Sequence, residues 1–341
     1  MQVLRHMDLL GEIRKFETRA GKITLVNKHN KKVASMPEGF TSGELEILRG
    51  DLANVLYGAT CDTTEYIFDD SITAIQQDYA GVTVSFARGT CRRFDLVIGA
   101  DGLHSNVRSL VFGDESKFVN HLGIYFAIFT VPNFMHLREM GALFYGMPGK
   151  RVGVFSARQD TEARASFYFT SPRLDYDRRD TEQQKQLIRE RFAQEEWVVP
   201  QLLQLMDAAP DFYFDSASQV KMDRWSDGRV TLLGDAADCP SPMSGMGTSL
   251  AIVGAYILAG ELSAAHGDHT IAFANYEGQM RDFAAACQKL AEGAEWFVPD
   301  TRFKHWLSQQ VWKILPYTPW KNMMIEMPAK VANSIALKRY A

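Results

Sequence analysis

The sequence lacks a strong charge of either sign: 37 Lys and Arg face 41 Asp and Glu, leaving a formal net charge of −4 over 341 residues. That balance excludes the basic footprint of a nucleic-acid binder and a polyacidic solvating tail. Cysteine is scarce. Cys61, Cys91, Cys239 and Cys287 are scattered without a C-x-x-C spacing, so neither a zinc site nor a dithiol redox motif is expected, and a reducing compartment fits. Long apolar runs are missing too. The nearest, Met243 to Leu262, is interrupted by glycines and carries Glu261, so it reads as a buried helix with a glycine-rich entry and not as a membrane span. The start, MQVLRHMDLLGEIRKF, is charged and amphipathic, without the apolar core and small-residue cleavage site of a secretory leader. The expected location is cytoplasmic. Glycine is plentiful at 25 residues, yet no G-x-G-x-x-G occurs. The usual backbone cradle for a dinucleotide pyrophosphate is therefore not among these residues.

What is present alternates between helix and strand. Residues 1–18 place Val3, Leu4, Met7, Leu10 and Ile13 on one helical face. Ile23–Asn27 reads as a strand, Lys28–Lys32 as a polar turn, and Glu44–Tyr57 as a helix with Arg49 near its start. Short alternating runs follow at Glu65–Phe68, Ile72–Gln77 and Val82–Phe86, the last two joined by an Asp78–Gly81 hairpin turn. Phe94–Gly99 is a continuous apolar run, as expected of a central parallel strand. Between 118 and 170, strands at 121–131, 141–147, 151–157 and 163–170 suggest an inserted antiparallel sheet. Helices are expected over 180–207, strands at Gln219–Met222 and Arg229–Leu233, then helices at Met243–Ala265 and about 270–296. The remainder is helical, broken around Trp306, Trp312, Pro316 and Trp320.

Three segments carry chemistry. The fullest is Arg229-Val-Thr-Leu-Leu-Gly-Asp-Ala-Ala-Asp-Cys-Pro-Ser-Pro-Met-Ser-Gly-Met-Gly-Thr248. An apolar strand delivers Gly234 and Asp235 at its carboxyl end, where open α/β sheets bind ligands. After Pro240 and Pro242, Gly245-Met246-Gly247-Thr248 lets backbone N–H groups approach a ligand at a helix N-terminus, whose partial positive charge suits a phosphate or an anionic ring edge. Asp235 suits sugar-like hydroxyls; the plainer alternative is a helix cap. The second segment runs from Asp95 to Arg108, where a buried strand ends in an Asp101-Gly102 turn before a helix; a capping turn is again the plainer reading. The third is Glu46-Ile-Leu-Arg49-Gly-Asp51-Leu, whose arginine fork suits phosphate oxygens but is equally a solvated charge.

Together these segments resemble the p-hydroxybenzoate-hydroxylase-like FAD-dependent monooxygenases, the aromatic hydroxylases, over nearly the whole chain down to Ala332-Asn333-Ser334-Ile335. The resemblance implies that Asp235 binds the ribityl chain of FAD. The loop around Pro242, Gly245, Met246, Gly247 and Thr248 would lie against the pyrimidine edge of the isoalloxazine. Asp101 and Gly102 would lie near the FAD pyrophosphate and help NAD(P)H use, and Arg49 would contact the phosphate or ribityl region. Asp238 stands where many members carry histidine. Met1 opens within what resembles the helix after the family's first βαβ unit, so roughly 30 residues of that unit would be lacking.

The implied fold is α/β: a Rossmann-like FAD/NAD(P)-binding domain, N-terminally truncated, with an inserted antiparallel substrate domain and C-terminal helices. The implied divisions are 1–117 and 216–295 for the FAD domain, 118–215 for the insert and 296–341 for the helical end. The implied activity is NAD(P)H-dependent oxygenation, with O2, of a small aromatic or polycyclic substrate, without metal or side-chain nucleophile. A remnant binding FAD weakly or not at all, an FAD-dependent reductase or dehydrogenase, and a binding module for a hydrophobic small molecule fit the same residues. His104, beside the Asp-Gly turn, reads as a surface or capping residue. His266 and His269 read as helix-end residues and not as a metal pair. The aromatic strands Tyr125-Phe126, Phe144-Tyr145 and Phe167-Tyr168-Phe169 read chiefly as core, with a pocket lining as the alternative.

Overall fold

The computed structural model describes residues 1–18, 21–36 and 45–340. Its largest element is a seven-stranded sheet in the order Tyr213–Val220, Val119–Pro132, Glu162–Thr170, Lys150–Ala157, Ala142–Met147, Ile23–Val26 and Lys32–Ser35. Neighbours are antiparallel except Ala142–Met147 with Ile23–Val26. Alternation along each strand sorts the side chains. Phe129, Val152, Val154 and Phe167 are fully buried against the helices Thr181–Phe192 and Val199–Asp207, which contribute Ile188, Phe192, Leu202 and Met206. Each such burial contributes up to about 1.5–3 kcal/mol. The opposite face carries Ile124, Phe126 and Tyr168, and both Tyr168 and Met243 pack against the buried cluster of Ile124, Ala217 and Val298.

A second layer is built on the parallel pair Val97–Gly99 and Val230–Leu232, edged by Ser226–Asp227. The helices Gly247–Ala264 and His269–Lys289 pack against it through Leu250, Ile257, Tyr276 and Met280. Gly99 is dictated by close approach: a Cβ there would lie 2.7 Å from Leu232 Cδ2 and 2.8 Å from a Val107 methyl. Both parallel strands end on the same side. The Asp101-Gly102 and Gly234-Asp235 turns therefore sit next to each other at the carboxyl ends, the usual ligand edge of such a sheet. Glu261, on the Gly247–Ala264 helix, is buried. Against the cost of that burial, bonds from Lys338, Gln279, Asn275 and Tyr340 hold its carboxyl down at about 2.

The α/β architecture with an antiparallel sheet is as the sequence suggests, and so is the Asp78–Gly81 turn, where Asp78 accepts from the Ala80 and Gly81 N–H groups. Several elements differ. The expected helix over 1–18 is two short helices, Gln2–His6 and Leu10–Arg14, with Glu17–Thr18 in a strand paired to Glu46–Ile47. Glu44 lies outside the described residues; the helix of that segment is Arg49–Thr60. Glu65–Phe68 is not a strand: alternation without a surface to cover leaves Phe68 71% exposed. Phe94–Gly99 is broken, because Phe94 ends a three-stranded meander with Ile72–Asp78 and Gly81–Phe86 while Val97 starts the parallel strand. Gln219 belongs to the strand Tyr213–Val220. The helix expected from Met243 begins at Gly247, after a 3-10 turn over Pro242–Ser244.

Candidate functional site

The Gly234-Asp235 turn needs glycine. Gly234 has φ +60° and ψ −138°, a region closed to other residues, and a Cβ there would press 3.1 Å from the Ala251 methyl. Its carbonyl accepts from the Ala237 and Asp238 N–H groups, which starts the single helical turn Asp235–Asp238. Asp235 is half-buried beside Gly247, 3.6 Å from where a Gly247 Cβ would lie. Burial raises its carboxyl pKa, Cys239 and Arg49 pull it back, and Asp215 adds to the rise.

The loop that follows is held from within. Ser241 Oγ accepts from the Met243 N–H, Ser244 Oγ donates to the Ser241 carbonyl, and the Met246 N–H donates to Ser244 Oγ. Gly245 sits at φ +67° with open space around it, and Met246 is buried beneath. The Gly247–Ala264 helix then begins with no side-chain cap. The first N–H groups of a helix have no intrahelical partner, and here Thr248 and Ser249 are exposed. Pro242 is exposed at the rim. A carboxylate beside an uncapped helix start and an open glycine turn is a donor-and-acceptor set that fits a polyhydroxyl chain ending in a polar ring edge. The residues present therefore suit FAD.

Arg49 opens the Arg49–Thr60 helix, with its guanidinium 5.9 Å from the Tyr213 ring centre and within electrostatic reach of Asp235. Asp101 is engaged as a cap: its carboxylate accepts from Ser105 Oγ at 2.5 Å and from the Asn106 and Val107 N–H groups at 2.7 and 3.0 Å. Gly102 lies beside it at φ +84°, open to solvent on its Cβ side. The structure thus brings Arg49 and Asp235 to one place with the Gly245–Thr248 loop, and seats the Asp101-Gly102 turn on the neighbouring strand end.

Two linking residues were not singled out from the sequence. Arg108, fully buried, donates to the Leu103 and Ala236 carbonyls and so ties the Asp-Gly turn to the Gly-Asp turn. The only sequence signal was its place in the second segment. Asp215, also buried, lies between Tyr213 Oη at 2.9 Å and His104 Nε2 at 3.0 Å, while His104 Nδ1 meets Glu115 at 3.0 Å. His104 is therefore a bridge between two carboxylates and not a simple surface residue. Burial works against its charged form, but Asp215 and Glu115 outweigh that and raise its pKa. Glu115 is in turn held at about 2 despite burial, by His104 and Arg178. Asp238 behaves oppositely: 2% exposed and without a hydrogen-bond partner on either oxygen, it is pushed up to about 8 by burial and then by Asp235.

The aromatic strands divide by alternation. Tyr125, Phe167 and Phe169 are core. Phe126 and Tyr168 lie on the other face; Phe126 is 5.9 Å from the Tyr213 ring that Arg49 approaches, and Tyr168 packs on the same buried cluster as Met243. His269 begins a helix and meets the Phe273 ring edge-on. Among the described residues no group of three or more His, Cys, Asp or Glu could hold a metal ion.

Residues 1–289 match the family model described as FAD binding domain. The chain belongs to that family, and within it to the flavin-dependent monooxygenases. A flavin-dependent monooxygenase of Legionella longbeachae is 37% identical over 343 residues, covering 99% of this chain and 85% of the relative. An uncharacterized protein of Mycobacterium tuberculosis is 48% identical over 306 residues, 88% of this chain and 80% of that one. Among solved structures, the tetracycline destructase Tet(51) superposes with a TM-score of 0.84 at 31% identity, covering all of this chain and 86% of the other. The p-nitrophenol 4-monooxygenase PnpA of Pseudomonas putida, at 19% identity and a TM-score of 0.71, shares the fold. The flavoenzyme assignment, FAD as cofactor and the aromatic-hydroxylase-like fold follow.

Proposed function

We propose that this flavoprotein uses NAD(P)H and O2 to hydroxylate a small aromatic or polycyclic substrate lying between the inner face of the antiparallel sheet and the Gly245–Thr248 loop. The observation that carries this is the convergence of Asp235, Arg49 and the uncapped Gly247–Ala264 helix with Phe126, Tyr168, Tyr213 and Met243. FAD supplies the redox chemistry and activates O2; the protein supplies position and shielding. Asp235 accepts from the ribityl hydroxyls, and the N–H groups of Gly247 and Thr248 donate to the polar edge of the ring. Arg49 balances phosphate charge. Flat aromatic walls suit a planar substrate and keep water from the reacting atoms. The likeness to Tet(51) and Tet(55), at 31% and 33% identity, supports fused rings as the substrate class.

For NAD(P)H, a wide groove beside the Asp-Gly turn is lined by Arg88, Arg173, Arg178 and Arg179 with His104 and Asn106, and also by Asp69, Asp70, Asp114 and Glu115; Arg88 pairs with Asp69, and Arg173 and Arg178 with Glu115. Dinucleotide phosphates there would take these guanidinium groups in place of the carboxylates. The division into an FAD-binding body (1–117 and 216–295), a substrate insert (118–215) and a helical end (296–341) belongs to the same reading. No described helix other than Gly247–Ala264 is long and apolar enough to cross a membrane; its buried Glu261 and its packing on His269–Lys289 make it a core helix in this reading.

The test is oxygen transfer. FAD-loaded protein given NADPH or NADH and a panel of aromatic and fused-ring compounds should consume reductant faster with substrate than without, and label from isotopic dioxygen should enter the product. Reductant consumption with product desaturation and no label would instead identify a dehydrogenase.

A further inference from the structure

The Arg302–Ile314 helix is amphipathic, and its apolar stripe is turned outward. A surface helix ordinarily gives that stripe to the core and its polar residues to water. Here the inward side packs on the strands Lys32–Ser35 and Ala142–Met147 and carries the buried Ser308 with His305, Gln309 and Trp312. The outward side carries Phe303, 68% exposed, and the exposed Trp306, Val311 and Ile314. The Phe303 and Trp306 rings stack with centres 6.2 Å apart. Tyr317, in the 3-10 turn Leu315–Tyr317 that follows, is 90% exposed. Grouped apolar side chains left in water mark a surface that something else covers.

Charge selects what covers it. The whole chain carries a net −4, yet residues 301–325 hold Arg302, Lys304, Lys313 and Lys321 without one Asp or Glu. At about 3.6 residues per turn, Lys304 falls on one flank of the apolar stripe and Arg302 and Lys313 on the other. All three are exposed. Lys304 reaches back to Asp300 at 3.0 Å, an exposed pair that is easily exchanged for another anion. A second copy packed about a two-fold axis would set these cations against the same cations. A bilayer with acidic headgroups meets both demands at once. Apolar side chains enter the headgroup boundary, Trp and Tyr rings settle at its polar edge, and basic side chains reach the anionic lipids.

We propose that the outward face of the Arg302–Ile314 helix, with Phe303, Trp306 and Ile314 flanked by Arg302, Lys304 and Lys313, docks the protein on an anionic lipid bilayer, peripherally and without spanning it. This holds whether or not the proposed hydroxylation is correct.

Flotation of the purified full chain, incubated with FAD, on lipid vesicles tests it. Wild type should bind vesicles of mixed phosphatidylserine and phosphatidylcholine about tenfold or more better than vesicles of phosphatidylcholine alone, and high salt should release much of it. Phe303→Ser combined with Trp306→Ser should weaken binding about tenfold or more with the circular dichroism of wild type. No binding by wild type, equal binding to both kinds of vesicle, or equal binding by wild type and variant overturns the proposal. So does a vesicle-free dimer in analytical ultracentrifugation that the same substitutions dissociate, because a second copy then covers the face. Should that variant not fold, Ile314→Ser combined with Tyr317→Ser takes its place.

Discussion

Asp238→Asn is the perturbation whose size the structure sets most directly. Asp238 is 2% exposed, both its oxygens lack partners, and its carboxyl is pushed up to about 8 by burial and then by Asp235. In the unfolded chain it would titrate near 3.8. Between those two values the folded protein holds a proton that the unfolded chain has released, so stability falls as pH rises. The slope is about 1.4 kcal/mol per pH unit, for a total of about 5–6 kcal/mol between full protonation and full ionisation. Asparagine cannot ionise. The variant should therefore be no more stable than wild type near pH 3, where the carboxyl is protonated in both folded and unfolded chains, and clearly more stable near pH 9. Urea unfolding of the two proteins across this range, read as the difference in ΔG, cancels the titrating groups that Asp238 does not influence. A difference that stays constant with pH would refute the reasoning: it would mean that Asp238 is solvated or paired, not stranded in a dry interior.

Other outcomes follow from the same geometry. His104→Gln removes a raised imidazole; its stabilising share is complete below the ordinary value near 6.5 and fades as pH climbs through the raised one. The variant should therefore lose about 1–2 kcal/mol at pH 6 and markedly less at pH 9 by thermal or urea unfolding; equal losses at both would contradict a charged bridge. Gly234→Ala should cost about 1–3 kcal/mol in flavin-free protein, since alanine must enter a glycine-only backbone region against Ala251. A melt indistinguishable from wild type would show that the turn relaxes freely.

The sequence made the Arg229–Thr248 segment legible because its physics is local. An apolar strand, a glycine at a sharp turn and a glycine pair before a helix constrain one another within twenty positions. The antiparallel sheet was readable for the same reason, since alternation and turn residues mark strands that are neighbours in sequence. What stayed hidden depends on contacts between distant segments. Nothing near His104 announces that Asp215, more than a hundred residues away, will close a bridge to it. Arg108 meets the Ala236 carbonyl, which is distant in sequence. Arg151 is buried on its strand. Asp238 stands out in sequence only as a departure from the family's histidine, and its burial without a partner comes from the packing around it. Conversely, Glu65–Phe68 has strand alternation but no surface to bury it, and Phe94–Gly99 joins two sheets that its apolar run could not separate.

The central claim is that Asp235 and the uncapped helix beside it hold the flavin. Purified 341-residue protein should be incubated with FAD, desalted and scanned in the visible range, alongside Asp235→Ala. The account predicts flavin absorbance retained by the wild type and lost in the variant, with both proteins folded by circular dichroism. Retention of FAD by both proteins would contradict the assigned role of Asp235, and retention by neither would contradict the sufficiency of this site for cofactor binding.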